Sequence, residues 1–312
     1  MGQKILVTGG SGYLGSTLVP ELLKAGNEVT VLDNFMYGQN GLAAVCHEPG
    51  FQVVKGDVRV KETMQPLLKD ADIIIPLAAL VGAPICNLDP VGATTINHDA
   101  IQMMLKMVGK DQIILMPTTN SAYGTGDENN FCTEESPLNP ISKYAKDKVE
   151  VEKTLMEREN SVSFRLATVF GMSPRMRIDL LVNDFTYRAV SDGCVTLFES
   201  HFKRNYIHVR DVTRAFMHAI DNYDAMKGEV YNVGLSEANL SKWELCEAIK
   251  RHIPNFIFQE ALLGKDPDQR NYIVSNEKLE KTGFKPAVGL HDGLTGLIKG
   301  YTMIKNTKYG NV

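Results

Sequence analysis

Residues 4–15 are the strongest indication of the fold of this chain: Lys4-Ile5-Leu6-Val7-Thr8-Gly9-Gly10-Ser11-Gly12-Tyr13-Leu14-Gly15. Its apolar start predicts a buried strand, three glycines at intervals of three predict a tight turn, and leucines at helical spacing after them predict a helix. Gly9 would permit the turn, Gly12 would let the backbone approach a pyrophosphate, and Gly15 would let helix and strand pack closely. The free N–H groups at the start of such a helix favour a bound phosphate.

A second predicted strand, Val29 to Leu32, ends at Asp33, 24 residues after Gly9. A carboxylate in that place can accept hydrogen bonds from an adenosine ribose, and it would repel a 2′-phosphate. The sequence therefore predicts a dinucleotide site that takes NAD rather than NADP. No phosphate-binding lysine follows the glycines, which disfavours a nucleoside triphosphatase.

The composition narrows the class of protein. The 312 residues are enough for two domains, and the net charge of −4 disfavours a nucleic-acid partner. No apolar run reaches the ~18 residues of a membrane span, and the first strand begins almost at Met1, so we expect a cytoplasmic protein without a membrane partner. The five cysteines and seven histidines are scattered, which predicts free thiols and no metal site.

Strand and helix patterns alternate through the first half of the chain, which predicts an α/β fold with a Rossmann-type doubly wound parallel sheet. Further predicted strands are 51–55, 72–75, 112–116 and 162–166, and predicted helices are 61–69, 93–109 and 142–159. After Gly171 the pattern is shorter and less regular, with helices predicted at 240–253 and 290–304. We expect an NAD-binding domain over 1–171, rejoined by strands at 206–209 and 229–233 within 206–234, and a smaller α/β C-terminal substrate lobe over 172–312.

Tyr144 and Lys148 begin the helix predicted over 142–159 and are four residues apart, so they share one face of it. A phenol titrates near ~10, and a neighbouring ammonium lowers its pKa because it favours the phenolate. Tyr144 could then take the proton of a substrate hydroxyl while a hydride leaves the same carbon for the nicotinamide. We predict that Tyr144 is a catalytic base and Lys148 its activator; an ordinary surface pair is the alternative.

These motifs together resemble the extended short-chain dehydrogenase/reductase superfamily, and within it the NAD-dependent nucleotide-sugar epimerases and dehydratases. The resemblance covers nearly the whole chain and is carried by the segments 8–15, 33–34, 56–57, 77–79, 123–124, 144–148, 165–171, 204–211, 231–234 and 268–270. It implies a homodimer built on the helices at 93–109 and 142–159. It specifies the superfamily much better than the reaction.

The resemblance also implies roles for individual residues. Cofactor contacts are expected from Gly9, Gly12, Tyr13 and Leu14 at the pyrophosphate, Asp33 and Asn34 at the adenosine ribose, Asp57 and Val58 at the adenine, Leu77, Ala78 and Ala79 beneath the nicotinamide half, and Lys148 on its ribose beside Tyr144. Thr119 holds the place of the serine or threonine that bonds the reacting oxygen of the substrate, with Thr118 next to it. A polar loop that only satisfies its own backbone is the alternative for this segment.

Arginines of the lobe are the candidates for the diphosphate of the substrate, because guanidinium groups match phosphate oxygens. Arg204 and Arg270 are favoured because they lie in family-like motifs, and Arg175 and Arg177 are less favoured candidates. Asn183 stands where similar proteins offer an amide to the same diphosphate.

The segment after Thr119 departs from the dehydratase pattern. Asn120 and Ser121, expected to contact the substrate, replace an Asp-Glu acid/base pair, and Thr168 replaces a usual asparagine. Since neither Asn120 nor Ser121 titrates usefully, dehydration is disfavoured. The sequence predicts NAD-dependent oxidation of a nucleotide-diphosphate sugar at C4, by a 4-epimerase or a 4-dehydrogenase. A dehydratase, a 3,5-epimerase and a non-catalytic NAD-binding sensor or scaffold are the alternatives.

Overall fold

The computed structural model of the chain describes residues 2–38, 40–125, 131–261, 263–264 and 270–304. Its strands are β1 (Lys4–Thr8), β2 (Glu28–Asp33), β3 (Phe51–Lys55), β4 (Ile73–Pro76), β5 (Ile113–Thr119), β6 (Ser161–Leu166), β7 (Thr168–Phe170), β8 (Cys194–Leu197), β9 (Lys203–His208), β10 (Glu229–Val233), β11 (Asn239–Ser241) and β12 (Ile257–Glu260).

The α-helices divide between the two halves of the chain. They are α1 (Gly15–Lys24), α2 (Lys61–Asp70), α3 (Ala83–Leu88), α4 (Pro90–Thr94), α5 (Ala100–Met107), α6 (Lys143–Leu155), α7 (Leu181–Ser191), α8 (Val209–Asp221), α9 (Tyr223–Met226), α10 (Lys242–His252), α11 (Glu277–Lys281) and α12 (Leu290–Tyr301). A π-helical turn, Thr95–Asp99, joins α4 to α5, so the helix predicted over 93–109 is not regular throughout. The helix predicted over 142–159 ends at Leu155.

A seven-stranded parallel sheet with the order β10-β6-β5-β4-β1-β2-β3 forms the centre of the fold. One face is covered by the apolar sides of α1 and α8, and the other by those of α2, α5 and α6. The prediction of a Rossmann-type doubly wound sheet is thus confirmed. The strand order reverses between β1 and β4, and the carboxyl ends of parallel strands at such a point form the usual ligand crevice of an open α/β sheet.

The two strands that follow β8, β9 and β10, join different sheets. β10 returns to the central sheet beside β6, as expected for 229–233. The strand expected at 206–209 does not return: it forms part of β9, which pairs with β7 and β11 in a separate three-stranded sheet. α8 follows β9 and packs on α1, with Val212 and Phe216 in the core.

The smaller lobe has a core of its own, built from α7, α10, α12 and the parallel pair β8–β12. Leu245, Phe256 and Leu294 are fully buried there. In the ranges that the structure describes, no helix is both long and apolar enough to cross a bilayer. Within the same ranges no group of His, Cys, Asp or Glu side chains could hold a metal ion.

Candidate active site

A cleft of about 310 Å³ lies at the carboxyl ends of β1 and β4, between the sheet and the lobe. Most of the residues expected in the site line it: Gly9, Gly12, Tyr13, Leu14, Asp33, Asn34, Asp57, Val58, Leu77, Ala78, Ala79, Thr119, Ser121, Tyr144, Lys148, Arg175, Arg177 and Arg270. Residues from the sheet, from α6 and from the lobe therefore share one cavity.

The glycine-rich turn forms one wall of the cleft and has no room for a larger residue at Gly9 or Gly15. Gly9 has φ +68, and a Cβ there would lie 2.5 Å from the backbone nitrogen of Ala78. At Gly15 a Cβ would lie 2.5 Å from the Cα of Gly10, so this glycine lets the start of α1 pack on the turn itself rather than on the strand. Gly12 has one close neighbour, the carbonyl oxygen of Gly9 at 3.1 Å. The backbone at Gly12 can therefore be approached from the cleft.

Asp33 ends β2 and presents its carboxylate to the cleft. One oxygen accepts a hydrogen bond from the Ser11 backbone N–H at 3.0 Å, and the other accepts one from Phe35 at 2.8 Å. These bonds fix the carboxylate, and each oxygen retains a lone pair for a further donor. Asp57, which also lines the cleft, pairs with Arg59 at 2.5 Å, and the hydrogen bonds from Arg59 lower the pKa of that carboxyl.

Helix α6 places Tyr144 and Lys148 in the cleft. Ser142 caps the helix, its hydroxyl accepting the Ala145 N–H at 3.2 Å, so Tyr144 lies in the first turn and Lys148 one turn later. The Lys148 ammonium is buried and donates to the carbonyl of Pro117 at 3.0 Å.

The pKa of Tyr144 departs from the expectation. Burial raises it to about 12, although the positive charges of Arg177 and Arg270 act in the opposite direction. Lys148 therefore does not bring this phenol near neutrality by itself, because desolvation disfavours the phenolate more strongly. Burial also lowers the pKa of Lys148 to about 8.

Thr119 ends β5 and belongs to a short chain of hydroxyl groups. Its hydroxyl donates to Ser121 Oγ at 3.0 Å and accepts the Ser121 backbone N–H at 3.1 Å. The Arg270 guanidinium donates to the same Ser121 oxygen. Thr118 has a different environment: its hydroxyl donates to the buried carboxylate of Glu152 at 2.8 Å.

The comparisons with known proteins agree with this geometry. Residues 5–234 match the NAD dependent epimerase/dehydratase family model. The chain belongs to this family. It is 27% identical to the low-salt glycan biosynthesis protein Agl12 of Haloferax volcanii, over 95% of this chain and 98% of that protein. It is 28% identical to UDP-glucuronic acid decarboxylase 5 of Arabidopsis thaliana, over 94% of this chain and 87% of that protein.

A solved structure is similar to this chain over nearly the whole length of both. The UDP-glucose 4-epimerase of Thermus thermophilus, crystallised in complex with NAD, superposes with a TM-score of 0.81 at 25% identity, over 96% of this chain and 99% of that one. The family is NAD-dependent, and the cleft fits this cofactor. Gly9 and Gly12 leave space for a pyrophosphate, and the fixed carboxylate of Asp33 suits ribose hydroxyls.

Three of the residues expected in the site are not part of the cleft wall formed by the described residues. Asn183 is fully buried, and its amide is used elsewhere: its oxygen accepts the Gly171 N–H at 2.9 Å, and its nitrogen donates to the Tyr13 hydroxyl and the Arg177 carbonyl. Arg204 is buried, with its guanidinium 5.7 Å from the centroid of the Tyr272 ring.

Asn120 is the third of these residues. Its side chain is buried, and neither atom of its amide has a hydrogen-bond partner in the part of the chain that the structure describes. Asp268 and Gln269, which belong to the motif of Arg270, lie outside the described residues. Sequence reasoning missed Tyr37, which lines the cleft four residues after Asp33; its place in the loop that follows β2 and Asp33 was the available signal.

Replacing Asp33 with Asn should weaken the binding of NAD and reduce the preference for NAD over NADP by about tenfold, because the fixed negative charge expected near the ribose is lost. Equilibrium dissociation constants for the two dinucleotides, measured on wild type and variant, check this. Asn34 is also expected at the ribose but carries no charge, so Asn34→Ala is the control and should leave the ratio of the two constants unchanged. An unaltered ratio for Asp33→Asn would show that another residue distinguishes the two cofactors.

Burial of Lys148 predicts a pH-dependent stability. Its pKa is about 8 in the folded protein against an ordinary value of 10.5, so between these values the unfolded chain holds a proton that the folded chain has lost. Raising the pH through this window therefore favours folding, by up to roughly 3 kcal/mol. Denaturant unfolding of wild type and Lys148→Met without nucleotide should show wild type gaining on the variant from pH 8 to 10.5. Parallel pH profiles would contradict the assignment.

Proposed function

We propose that this protein oxidises a nucleotide-diphosphate sugar at C4 with NAD, as a 4-epimerase or a 4-dehydrogenase. The observation that carries the proposal is the presence of Tyr144, Lys148 and Thr119 in the same cleft as the glycine turn and Asp33. A protein that only sensed the dinucleotide would need the turn and the acid but not the other three. NAD supplies the hydride acceptor when it is bound.

The surroundings of the three residues support the roles that we propose for them. Thr119 hydrogen-bonds the C4 oxygen of the sugar, and Ser121 fixes the Thr119 hydroxyl by two hydrogen bonds. Tyr144 takes the proton of the C4 hydroxyl as the hydride leaves C4. Because burial raises its pKa, Tyr144 is a phenol in the free protein. The positive charges of Arg177, Arg270 and the oxidised dinucleotide act in the opposite direction, and the phenolate that they favour is the form that accepts the proton. Lys148 adds a buried cation one helical turn away.

The charges of the cleft argue against dehydration and 3,5-epimerisation. Among the described residues that line it, the only carboxylates are Asp33 and Asp57, both in the part assigned to the adenosine. Both of these alternative reactions need a second acid/base pair near the sugar. Asn120 is buried and does not line the cleft, and Ser121 accepts a hydrogen bond from Arg270, so neither position supplies one.

Arg177 and Arg270 remain the proposed ligands of the substrate's diphosphate. Both line the cleft, and Arg177 is held by Asp179 and by a hydrogen bond to the Val81 carbonyl at 3.2 Å. A guanidinium fixed in this way loses little conformational freedom when it binds phosphate oxygens.

We also propose, from the resemblance, a cytoplasmic homodimer formed by α5 and α6, which are joined by a hydrogen bond from Gln102 to Thr154. Light scattering would show twice the mass of one chain.

A screen of UDP-, dTDP-, GDP- and CDP-sugars tests the proposed reaction. Purified protein with NAD is mixed with each sugar, the absorbance band of reduced nicotinamide is followed, and products are identified by chromatography and mass spectrometry. A C4 epimer without net reduction identifies an epimerase, and a 4-keto sugar with NADH identifies a dehydrogenase. A dehydrated product, or binding of NAD with no product from any sugar, would overturn the proposal.

A further inference from the structure

Asn40 and Gly41 lie in the connection between β2 and β3 and form the only Asn-Gly pair in the sequence. Asn40 is exposed, and its backbone carbonyl accepts a hydrogen bond from the Ala43 N–H at 3.0 Å. In the part of the chain that the structure describes, neither the side-chain amide of Asn40 nor the N–H of Gly41 has a hydrogen-bond partner. No hydrogen bond therefore holds these two groups apart.

An asparagine followed by glycine can lose ammonia without an enzyme. The Gly41 nitrogen attacks the side-chain carbonyl carbon of Asn40, a C–N bond forms, and the side-chain nitrogen leaves as ammonia with the proton of the Gly41 N–H. Water then opens the five-membered imide. Opening at the side-chain carbonyl gives aspartate, whereas opening at the main-chain carbonyl gives isoaspartate, whose main chain runs through Cβ and is one methylene longer.

Two features of Gly41 favour this reaction. A glycine has no Cβ, so no side chain on residue 41 hinders the attack. An N–H without an acceptor also gives up its proton more readily than one whose hydrogen bond stabilises the neutral amide. Exposed asparagines are among the residues that limit the lifetime of proteins, and Asn40 combines exposure with the most reactive neighbour.

The two asparagines nearest in sequence are held by hydrogen bonds and are followed by larger residues. The Asn27 amide donates to the Leu22 carbonyl at 3.0 Å, and its oxygen accepts the Gln3 N–H at 3.1 Å. The Asn34 oxygen accepts the Met36 N–H at 3.1 Å. Glu28 and Phe35 follow these asparagines, so neither should react as fast as Asn40.

Gly41 also fixes the loop to the start of α1. A Cβ at this position would lie 2.9 Å from the Cβ of Ser16, 3.1 Å from the Cβ of Arg175 and 3.3 Å from the carbonyl oxygen of Ser11. Ser11 belongs to the glycine-rich turn and lines the cleft. A main chain that becomes one methylene longer beside Gly41 therefore has no free space, and the contact with the turn has to shift.

We propose that Asn40 is a site of spontaneous deamidation, and that isoaspartate formed there displaces the loop from the glycine-rich turn and weakens NAD binding. The proposal goes beyond the reaction proposed above, because it concerns the change of cofactor affinity with time. It holds for any sugar and also for a protein that only binds NAD.

The first part of the test locates the reaction. The full-length wild type and the variant Asn40→Gln are incubated in mildly alkaline buffer and digested with trypsin at intervals. Asn40→Gln is the matched control because its imide would need a larger, six-membered ring. Residues 25–55 form one tryptic peptide that contains Asn27, Asn34 and Asn40, so fragmentation in the mass spectrometer shows which of them gains one dalton. Asn40 should convert first, at a rate proportional to the hydroxide concentration.

The second part measures NAD binding by calorimetry. The deamidated fraction, separated by anion exchange on its additional negative charge, should bind NAD about tenfold more weakly than fresh protein, because of the inserted methylene. The variant Asn40→Asp adds the charge without the methylene and should stay within about threefold of wild type, since an exposed charge is screened. Asn40→Gln should keep its affinity through the same incubation.

Four outcomes would overturn the proposal. Conversion of Asn27 or Asn34 before Asn40, or an unchanged Asn40, excludes the site. Unchanged NAD affinity in the deamidated fraction excludes the displacement of the loop. An equal loss for Asn40→Asp assigns the effect to the charge instead of the longer main chain. A similar loss in incubated Asn40→Gln shows that another change in the protein is responsible.

Discussion

Replacing Tyr144 with Phe should lower kcat about a thousandfold while NAD affinity stays within about threefold of wild type. The substitution removes one hydroxyl and keeps the ring that packs against Leu80 and Cys86, so the cleft retains its shape. The proton of the C4 hydroxyl then has no acceptor at that position. Steady-state rates on the sugar identified by the screen, together with calorimetry for NAD, provide the measurement.

Tyr187→Phe is the matched control for that variant. Tyr187 lies in the lobe, edge-on to Tyr301 with ring centroids 5.2 Å apart, and it does not line the cleft. Its variant should keep wild-type kcat and KM. If Tyr144→Phe retained more than about a tenth of the wild-type kcat, Tyr144 would not be the base, since general-base catalysis contributes far more than that.

Removing the carboxylate of Glu152 should destabilise the protein by about 3–5 kcal/mol. Glu152 and Arg165 are both buried and pair at 2.7 Å. The same carboxylate accepts hydrogen bonds from Thr118 at 2.8 Å and from Ser163 at 2.7 Å. In the Glu152→Ala variant the Arg165 guanidinium stays buried without its counter-ion, and urea unfolding measures the cost.

Two further variants separate the charge effect from the loss of packing. Glu152→Gln keeps the shape and should recover only part of the stability, because the pairing charge is still missing. The exposed pair Lys281–Glu277, at 2.9 Å, provides the control, and Glu277→Ala should change the stability very little. A loss for Glu152→Ala as small as that of Glu277→Ala would contradict the assignment. Because Glu152 is one turn after Lys148 and bonds Thr118 next to Thr119, the pair also ties α6 to the end of β5.

The cofactor half of the site was predictable from the sequence because it depends on local spacing. A glycine after a strand needs only its neighbours to form the turn, and Asp33 needs only to end the next strand. Tyr144 and Lys148 are likewise placed by the helical repeat. The structure brings all four positions into one cleft.

The lobe was less predictable because its residues are positioned by contacts far apart in the chain. Arg204 lies in a family-like motif yet turns to the Tyr272 ring, whereas Arg175, less favoured from the sequence, lines the cleft. Asn183 looks like any other amide until Gly171 and Tyr13 occupy it. The pKa of Tyr144 depends on burial, which no spacing reveals.

The pairing of β9 was likewise not predictable from the sequence. Both 206–209 and 229–233 were expected to be strands that return to the central sheet. β10 pairs with β6 there, while β9 is drawn to β7 and β11. These pairings join segments far apart in the chain, so the residue pattern within one strand does not reveal them.

In the proposed reaction, a hydride passes from C4 of a nucleotide sugar to NAD bound in this cleft. The most direct test uses the sugar that the screen identifies, carrying deuterium at C4, with protein in excess over sugar and NAD saturating. After a single turnover both the nicotinamide and the sugar are recovered and analysed by mass spectrometry. The predicted result is that the deuterium is retained, in the reduced nicotinamide if the sugar leaves as a 4-ketone, and at C4 of the product if an epimer forms. Product whose deuterium has been lost to water would contradict hydride transfer to NAD.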